Sequence, residues 1–394
     1  MIYNADWVIP VTGTPIRNGY VEIAEDGTIV SVSDAVSCPV EAVKLNGILA
    51  PGFTNCHCHI ELSHLKGLFK QGTGMDGFIQ QINALRTSID RKGRLDAIDK
   101  EMESLYNQGV SAMADISNCD ESFAAKASSK IYTRTFLEVF GTEPEDATAI
   151  VANAIELQKK ASEYGLDAAP TPHSCYTMSP LLNRLSAAEG LKSGYISYHS
   201  QESDQENDMI RYGKGELFDD YHARGCSMPP VMGISSLEYF IRNLSEAVEM
   251  PVEGNVILVH NVDTDQVSID AALKAFKHPY WALCPLSNIF IHRQLPPIGL
   301  LRQNGLKICI GTDSLSSNTQ LSMIAEMKCI QDNFPDIPLE EIVKWATLNG
   351  AEAVGKNELL GSFIPGKKPG VVLIENVDIE NLKLTDTSFS RRLA

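Results

Sequence analysis

The sequence has no long apolar segment, no basic block and no paired arrangement of cysteines. None of its apolar runs approaches the roughly 20 residues that a membrane-spanning helix needs, and no signal peptide is visible at its start. Its nine cysteines are an odd number and are dispersed along the chain. This usage argues against a disulfide-stabilised secreted protein and favours a reducing cytoplasm.

The chain is also poor in basic residues relative to acidic ones. It carries 33 Lys and Arg against 50 Asp and Glu, a formal net charge of −17. A surface of that sign repels phosphate backbones and anionic lipids. We therefore expect neither a nucleic acid nor a membrane as a partner.

Strand-like and helix-like segments alternate along most of the 394 residues. Residues 1–49 are β-rich, with a predicted hairpin at 20–23 and 28–32 around Glu25-Asp26-Gly27. Beyond them, eight apolar runs alternate with amphipathic segments such as 95–106 and 147–164. The eight runs are 48–53, 110–116, 131–139, 167–170, 195–198, 256–259, 280–283 and 307–310.

Eight such units predict an α/β protein whose residues 50–354 form a (β/α)8 TIM barrel. An open doubly wound sheet is the alternative, but the glycine-rich phosphate turn expected after its first strand is missing. Residues 355–394 return to β character at 361–366 and 370–374. We expect them to pair with the N-terminal hairpin, so that residues 1–49 and 355–394 build a small β-sandwich domain from both chain ends.

Histidine or aspartate follows five of the eight runs. In an extended segment alternate side chains share a face, so His57 and His59 converge while Cys58 points away. Two structural histidines would look the same, but the other runs end similarly, and barrels build their active sites at these strand ends. The residues at the other four ends are His173, His199, His260 and Asp313.

These residue types suit one catalytic metal ion. His57, His59, His199 and Asp313 offer three imidazoles and one carboxylate, which both zinc and iron accept as ligands. A bound metal lowers the pKa of water from 15.7 to about 7, so that hydroxide is available at neutral pH. Residues 168–173 contain no lysine that could bridge a second metal. We predict one divalent ion, with Zn²⁺ preferred over Fe²⁺.

The neighbouring residues suggest roles in proton transfer and substrate contact. Glu202 lies three residues beyond His199, so it can accept the proton of the metal-activated water and deliver it to a ring nitrogen; a solvated glutamate in the acidic run 202–206 is the alternative. His260 is predicted to position the attacking oxygen, and His173 to contact the substrate. His222 and His278 fit surface or structural positions.

Taken together, the motifs resemble the cytosine/adenosine deaminase and chlorohydrolase branch of the amidohydrolase superfamily. The resemblance implies a mononuclear barrel enzyme with metal ligands His57, His59, His199 and Asp313, and suggests a homodimer. It further implies that Glu202 shuttles protons, His260 orients the hydroxide, and Asp313 assists the departure of ammonia. The segments that carry the resemblance are 50–59, 171–179, 199–202, 259–261, 284–288, 311–314 and 346–351.

Within that branch, residues 61–67 and 312–318 are similar to the aminodeoxyfutalosine deaminase-like group, which acts on the adenine ring of a menaquinone precursor. This likeness makes Glu61, Ser63 and His64 candidates for the substrate pocket, although a helix cap explains Ser63 equally well. Two departures stand out. Cys56 and Cys58 replace the Ala and Thr often found there, and 368–370 replaces an Ala-Asp pair before the last strand.

The sequence therefore predicts a metal-dependent hydrolytic deaminase of an amino-substituted purine-type ring, with a small heterocyclic molecule such as aminodeoxyfutalosine or a related adenine nucleoside as its substrate. Guanine, pterin or S-adenosylhomocysteine deamination and triazine dechlorination are the alternatives within the same branch. A non-catalytic protein that binds a metal or a purine is the alternative from another class, and Glu202 beside His199 argues against it.

Overall fold

A computed structural model describes residues 1–34, 36 and 38–394. Within these residues the strands form one mixed seven-stranded sheet and two parallel four-stranded sheets. Helices connect consecutive strands of the parallel sheets. The predicted α/β class is confirmed. No helix of the described chain combines the length and apolarity that crossing a bilayer requires.

The mixed sheet draws its strands from both ends of the chain. Its strand order is β15-β14-β5-β1-β3-β4, with β2 paired to β1. The predicted hairpin is confirmed, because β3 and β4 pair in antiparallel register. The C-terminal strand β14 joins this sheet by pairing with β5, not with the hairpin. The strands are β1 Ile2–Val8, β2 Ile16–Arg17, β3 Tyr20–Ile23, β4 Ile29–Ser33, β5 Val43–Pro51, β14 Val371–Glu375 and β15 Phe389–Arg392.

Each parallel sheet runs in simple chain order, β6-β7-β8-β9 and β10-β11-β12-β13. Such an arrangement sends all carboxyl ends of one sheet to the same edge. The first sheet contains β6 Phe53–Cys58, β7 Val110–Ser117, β8 Tyr132–Val139 and β9 Asp167–Pro172. The second contains β10 Tyr195–Ser200, β11 Val252–His260, β12 Phe276–Leu283 and β13 Ile308–Ile310.

Amphipathic helices cover the parallel strands, and the predicted helical segments at 95–106 and 147–164 fall in α2 and α4. The helices are α1 Gly74–Leu85, α2 Arg91–Asn107, α3 Phe123–Ser128, α4 Ala147–Glu163, α5 Pro180–Leu191, α6 Asp204–Tyr212, α7 Glu216–Ala223, α8 Ser236–Ser245, α9 Gln266–Ala275, α10 Pro285–His292, α11 Ile298–Gln303, α12 Met323–Asn333, α13 Leu339–Lys344 and α14 Gly350–Ala353. A short 3-10 helix, Ile60–Leu65, follows β6 directly.

Hydrogen bonds also link the outer strands of the two parallel sheets. The backbone N–H groups of Thr312 and Asp313 donate to the carbonyl of His57, at 3.0 and 2.9 Å. On the other side, the N–H of His199 donates to the carbonyl of His173 at 2.9 Å. These bonds bring the carboxyl ends of β6, β9, β10 and β13 together. Small and apolar side chains from β6, β7, β11, β12 and β13 fill one buried cluster between the sheets.

Two sequence predictions about strands are wrong. The run 48–53 is not the first parallel strand, because β5 pairs with β14 as far as Pro51 and β6 begins at Phe53. Gly52 separates them, and a Cβ there would lie 2.0 Å from the hydroxyl of Ser111. Residues 361–366 form turns and bends, not a strand. In the first of these places, pairing with distant residues and not local apolarity sets where the strand ends.

Candidate active site

The side chains predicted to hold a metal lie at the carboxyl edges of the parallel strands. His57 sits inside β6 and His59 directly follows it, while His199 is near the end of β10 and Asp313 follows β13. All four are buried, with at most 9% of their surface exposed. Side chains from three separate parts of the chain therefore converge on one point.

The donor atoms of this cluster are spaced as metal ligands require. The Nε2 atoms of His57 and His59 lie 3.1 Å apart, and Asp313 Oδ1 is 3.7 and 3.6 Å from them. Donor atoms of His57, His59 and His199 all lie within 4.8 Å of one another. A tetrahedral zinc with bonds of about 2.0–2.1 Å would hold its ligands roughly 3.3 Å apart. The donor set fits a divalent metal ion in both spacing and chemistry.

His57 and His199 have the protonation state that ligation needs. Burial, followed by the neighbouring imidazoles, lowers the pKa of His57 and His199 well below the ordinary value. Both rings are therefore neutral near pH 7, and a neutral imidazole has the lone pair that binds a metal. The Nδ1 atom of His57 is buried without a protein hydrogen-bond partner among the described residues.

Asp313 is ionised and held in place from its far side. Burial opposes its ionisation, but the imidazoles of His59 and His57 outweigh burial and hold its pKa well below the usual range. Its Oδ2 atom accepts hydrogen bonds from the hydroxyls of Ser287 and Ser317 at 2.6 and 2.7 Å. The opposite oxygen, Oδ1, is left facing the two histidines.

Glu202 and His260 lie next to each other, beside the predicted metal ligands. Glu202 Oε1 lies 3.6 Å from His260 Nε2, and Oε2 accepts a hydrogen bond from the hydroxyl of Tyr176 at 3.2 Å. His260 Nδ1 lies 3.1 Å from the side-chain amide nitrogen of Asn288. Burial, then the charge of Asp313, raises the pKa of Glu202 well above its ordinary value, and burial lowers that of His260 to about 4.

His173 lies on the cavity side of His199. The two rings stack with centroids 4.3 Å apart, and His173 Nδ1 lies 2.8 Å from the hydroxyl of Ser174. Burial lowers the pKa of His173 to about 3. Glu138 lies beside both rings and also lines the cavity, and its Oε1 lies 3.3 Å from His199 Nδ1. Burial raises the pKa of Glu138 to about 8.

The backbone is strained where it presents these side chains. Gln201, His260, Asn261 and Asp313 have φ values of 49°, 73°, 57° and 55°. Non-glycine residues rarely adopt this left-handed region, and such residues concentrate at functional sites when the surrounding structure holds them there. The strained positions lie at or after the carboxyl ends of β10, β11 and β13, near the side chains of His199, His260 and Asp313.

A cavity of about 380 Å³ opens onto the cluster. Its catalytic side carries His59, His173, His199, Glu202, His260 and Asp313. An apolar part of the lining consists of Leu62 with the α1 residues Met75, Phe78, Ile79 and Ile82, and polar side chains such as Arg86, Asn118 and Arg224 also line the cavity. A cavity that combines an apolar surface with a few polar groups suits a flat heteroaromatic molecule.

Glu61, Ser63 and His64, predicted as substrate contacts, lie behind the cavity lining. Glu61 pairs with Arg86 at 3.0 Å, Ser63 donates to the carbonyl of Ile60, and His64 Nε2 lies 2.9 Å from the carbonyl oxygen of Arg86. Leu62 of the 3-10 helix after β6 lines the cavity, whereas these three residues do not. Cys56 and Cys58 are fully buried in apolar clusters.

Sequence reasoning missed several residues that contact the predicted ones. Ser287 and Asn288 lie in the first turn of α10, which begins at Pro285, and Glu138 lies near the end of β8. Ser287 and Asn288 fall in segment 284–288, which carries the resemblance, but residue type alone gave them no role, and the same holds for Glu138. Tyr176 lies in a loop, and only its tertiary contact with Glu202 identifies it. The exposed positions of His222 and His278 agree with a surface assignment.

Comparison with known proteins places these features in a family. Residues 48–392 match the model of the amidohydrolase family. The aminodeoxyfutalosine deaminase of Nitratiruptor sp. is 26% identical over 84% of this chain and 79% of its own length. The 5-methylthioadenosine/S-adenosylhomocysteine deaminase of Saccharophagus degradans is 24% identical over 97% of this chain and 84% of its own.

The fold is also similar to that of a solved structure. The crystal structure of Helicobacter pylori aminofutalosine deaminase in complex with methylthio-coformycin superposes with a TM-score of 0.78 at 22% sequence identity. The match covers 98% of this chain and 93% of the other. At that identity the likeness concerns the fold.

Proposed function

Since the chain belongs to the amidohydrolase family, we propose that it is a metal-dependent hydrolase that removes the amino group from a purine-type ring. The observation that carries this proposal is the pairing of Glu202 with His260, 3.6 Å apart, on the cavity side of the His57–His59–Asp313 cluster. A site that only bound a metal or a purine would have no need of a buried carboxyl group beside the metal ligands.

His57, His59, His199 and Asp313 would hold one divalent ion, with zinc as the first candidate and iron as the second. Such an ion lowers the pKa of water from 15.7 to about 7 and so supplies a nucleophile at neutral pH. The assignment of a single ion is supported by the described cavity lining, which includes no lysine that could bridge two.

The protein's own residues then move the protons. Glu202 takes the proton of the attacking water and passes it to the ring nitrogen next to the carbon under attack. His260, held by Asn288, orients the attacking oxygen. Asp313 assists the transfer of a proton to the amino group, so that the C–N bond breaks and ammonia leaves while a ring carbonyl forms. His173 contacts the ring or its substituent from the side of His199.

An adenine nucleoside such as aminodeoxyfutalosine is the first candidate substrate, which would give the enzyme a place in menaquinone biosynthesis. Of the two relatives described above, one is named as an aminodeoxyfutalosine deaminase and the other as a 5-methylthioadenosine/S-adenosylhomocysteine deaminase. Guanine, pterins and chlorinated triazines are the competing rings. The apolar wall of α1 is compatible with a substituent larger than a free base.

The finer architecture is part of the same proposal. Closure of β6–β13 into a (β/α)8 barrel is supported by the bonds from Thr312 and Asp313 to His57 and from His199 to His173. The division into residues 1–49, 50–354 and 355–394 stays a proposal, although the pairing of β5 favours a first boundary at Gly52. A sandwich of the small domain is supported by one apolar cluster shared by β1, β3, β4, β5 and β14.

The free thiols support a cytoplasmic location, and a homodimer remains the expected assembly.

Two measurements on the purified protein test the proposal. Elemental analysis should find about one tightly bound divalent ion per chain, and full activity in metal-free protein would refute the mechanism. Ammonia release should be screened over adenine nucleosides, 5-methylthioadenosine, S-adenosylhomocysteine, guanine, pterins and triazines, with chloride release measured for the chlorinated triazines. Consumption of another ring with inert adenine nucleosides would correct the substrate and keep the deaminase, whereas an inert panel would refute the deaminase.

A further inference from the structure

The turn that carries Glu202 is short and strained. β10 ends at Ser200 and α6 begins at Asp204, so only three residues connect them. Gln201 adopts a φ of 49°, and both Gln201 and Glu202 are buried. The backbone N–H groups of these two residues therefore need acceptors inside the protein, because buried donors without partners are costly.

Glu206 supplies both acceptors. Its Oε1 atom accepts the N–H of Gln201 at 3.0 Å and its Oε2 atom accepts the N–H of Glu202 at 2.8 Å. The residue is fully buried, and the thiol of Cys175 donates to Oε1 at 3.5 Å. One carboxyl group thus fixes both peptide units that lead into the side chain of Glu202.

This contact differs from ordinary helix capping, and helix α8 of the same chain has an ordinary capping box with which it can be compared. In α8 the side chain of Glu238 accepts the N–H of the N-cap residue Ser235, while Ser235 accepts the N–H of Glu238, a standard capping box. In α6 the N-cap Ser203 likewise accepts the N–H of Glu206. The carboxyl group of Glu206, however, reaches past Ser203 to the two preceding residues.

The far side of the same turn is held independently. The side-chain amide of Gln201 donates to the carbonyl of Asp263 and to the hydroxyl of Ser268, both at 3.1 Å. Its oxygen accepts a hydrogen bond from Thr264 at 2.9 Å. Loss of the bonds to Glu206 would therefore loosen the peptide units locally without releasing the whole turn.

We propose that Glu206 is a positioning residue that sets the direction of the Glu202 carboxyl group by holding the N–H groups of Gln201 and Glu202. The inference rests on the proposed function, because it assigns Glu206 to the geometry of the proton shuttle. Glutamine has nearly the same size and shape as glutamate, so Glu206→Gln changes the acceptors of the two N–H groups and keeps the packing.

The test compares Glu206→Gln with Glu238→Gln. Glutamine has a single acceptor oxygen, so one of the two N–H groups in the Glu202 turn loses its partner. Misplacement of a catalytic group by about 1 Å costs roughly 100-fold in rate. We expect kcat to fall roughly 10- to 100-fold in Glu206→Gln, with KM and metal content unchanged. In Glu238→Gln the same substitution meets a single N–H group, that of Ser235, which the oxygen of glutamine can still accept, so its kcat should stay at the wild-type value.

Hydrogen exchange of the backbone amides provides a readout that does not depend on activity. The amides of Gln201 and Glu202 should exchange roughly tenfold faster in Glu206→Gln, with the rest of β10 unchanged. If Glu206→Gln fails to fold, Glu206→Asp keeps both acceptor oxygens on a shorter arm and should show the same loss of kcat to a smaller degree.

Three results would overturn the proposal. One is a wild-type kcat in Glu206→Gln, and another is unchanged exchange at Gln201 and Glu202. The third is an equal loss of kcat in Glu238→Gln, which would make the effect one of general helix stability. If the wild-type protein deaminates nothing in the panel, the proposed function fails. Hydrogen exchange then still decides whether Glu206 holds the turn.

Discussion

The hydroxyl of Ser287 donates to Asp313 Oδ2 across 2.6 Å. The two residues come from different connections, since Ser287 lies in the first turn of α10, after β12, and Asp313 follows β13. Ser317 donates to the same oxygen at 2.7 Å. With Oδ2 occupied twice, the carboxylate cannot rotate freely, and Oδ1 stays directed at His57 and His59.

Removal of these hydroxyls should weaken metal retention. We expect Ser287→Ala and Ser317→Ala each to lower metal affinity or activity roughly 10- to 100-fold, as is typical for groups that orient a ligand. Metal content after dialysis against a graded chelator measures this. Ser186→Ala is the control, because Ser186 is equally buried but donates to Leu182 within α5. Metal retention like that of the wild type in the Ser287→Ala/Ser317→Ala double variant would contradict the prediction.

Glu202→Gln should separate metal binding from turnover. Glutamine keeps the hydrogen bond to Tyr176 but cannot accept a proton, so kcat should fall roughly 10²- to 10⁴-fold while the metal content stays the same. Steady-state ammonia release and elemental analysis measure the two quantities. Glu101→Gln, a substitution of another buried glutamate (7% exposed) in α2, should leave kcat unchanged. Near-normal turnover in Glu202→Gln would show that another group moves the proton.

The buried ion pair of Lys126 and Asp115 should be needed for stability. Its atoms are 2.5 Å apart with both side chains fully buried, and Asp115 also accepts the N–H of Ile60, directly after His59. Lys126→Met leaves a buried carboxylate without its partner, which typically costs about 3–5 kcal/mol of the free energy of unfolding.

Urea unfolding followed by two probes measures this loss. The double variant Lys126→Met/Asp115→Asn removes both charges and keeps an acceptor for Ile60, so it should recover part of the lost stability. Removal of the exposed pair Lys92–Asp96 should leave the unfolding curve unchanged. A loss below about 1 kcal/mol in Lys126→Met would contradict the prediction.

Glu326 should make stability depend on pH. It is fully buried and accepts hydrogen bonds from the N–H of Leu286 and the amide of Asn318 at 2.9 and 2.8 Å. Burial raises its pKa from 4.5 to about 8. Between these values the folded protein keeps a proton that the unfolded chain has released. The stabilising contribution is therefore complete below the unfolded pKa and is lost as pH rises through the folded pKa.

A comparison of the wild-type protein with Glu326→Gln separates the effect of Glu326 on the pH dependence of stability from the effects of other titrating groups. As pH rises from about 5 to 9, wild-type stability should fall relative to the variant by at most about 1.4 kcal/mol per pH unit. Urea unfolding at a series of pH values measures the difference between the two proteins. A difference that is constant with pH would show that Glu326 does not hold the proton.

The sequence alone predicted much of the fold, because the signals involved are local. Hydrophobic periodicity identified the hairpin β3–β4, helices α2 and α4, and most of the parallel strands. It misplaced the first parallel strand, because 48–51 is more apolar than 53–58 and drew the predicted start of that strand forward. The difference is made by the pairing of β5 with β14, more than 300 residues away in sequence.

For the candidate site, too, the sequence predicted one part and only the tertiary structure showed the other. The sequence by itself determined which chemistry is available, since His57, His59, His199, His260 and Asp313 all follow from residue type and from position near a strand end. Only the tertiary structure decided how that chemistry is directed. Packing kept Glu61, Ser63 and His64 out of the cavity lining and brought Ser287 to Asp313, Asn288 to His260 and Glu206 to the turn of Glu202. Strand periodicity is set by neighbouring residues, whereas these contacts arise when separate strand ends meet, and no local pattern encodes them.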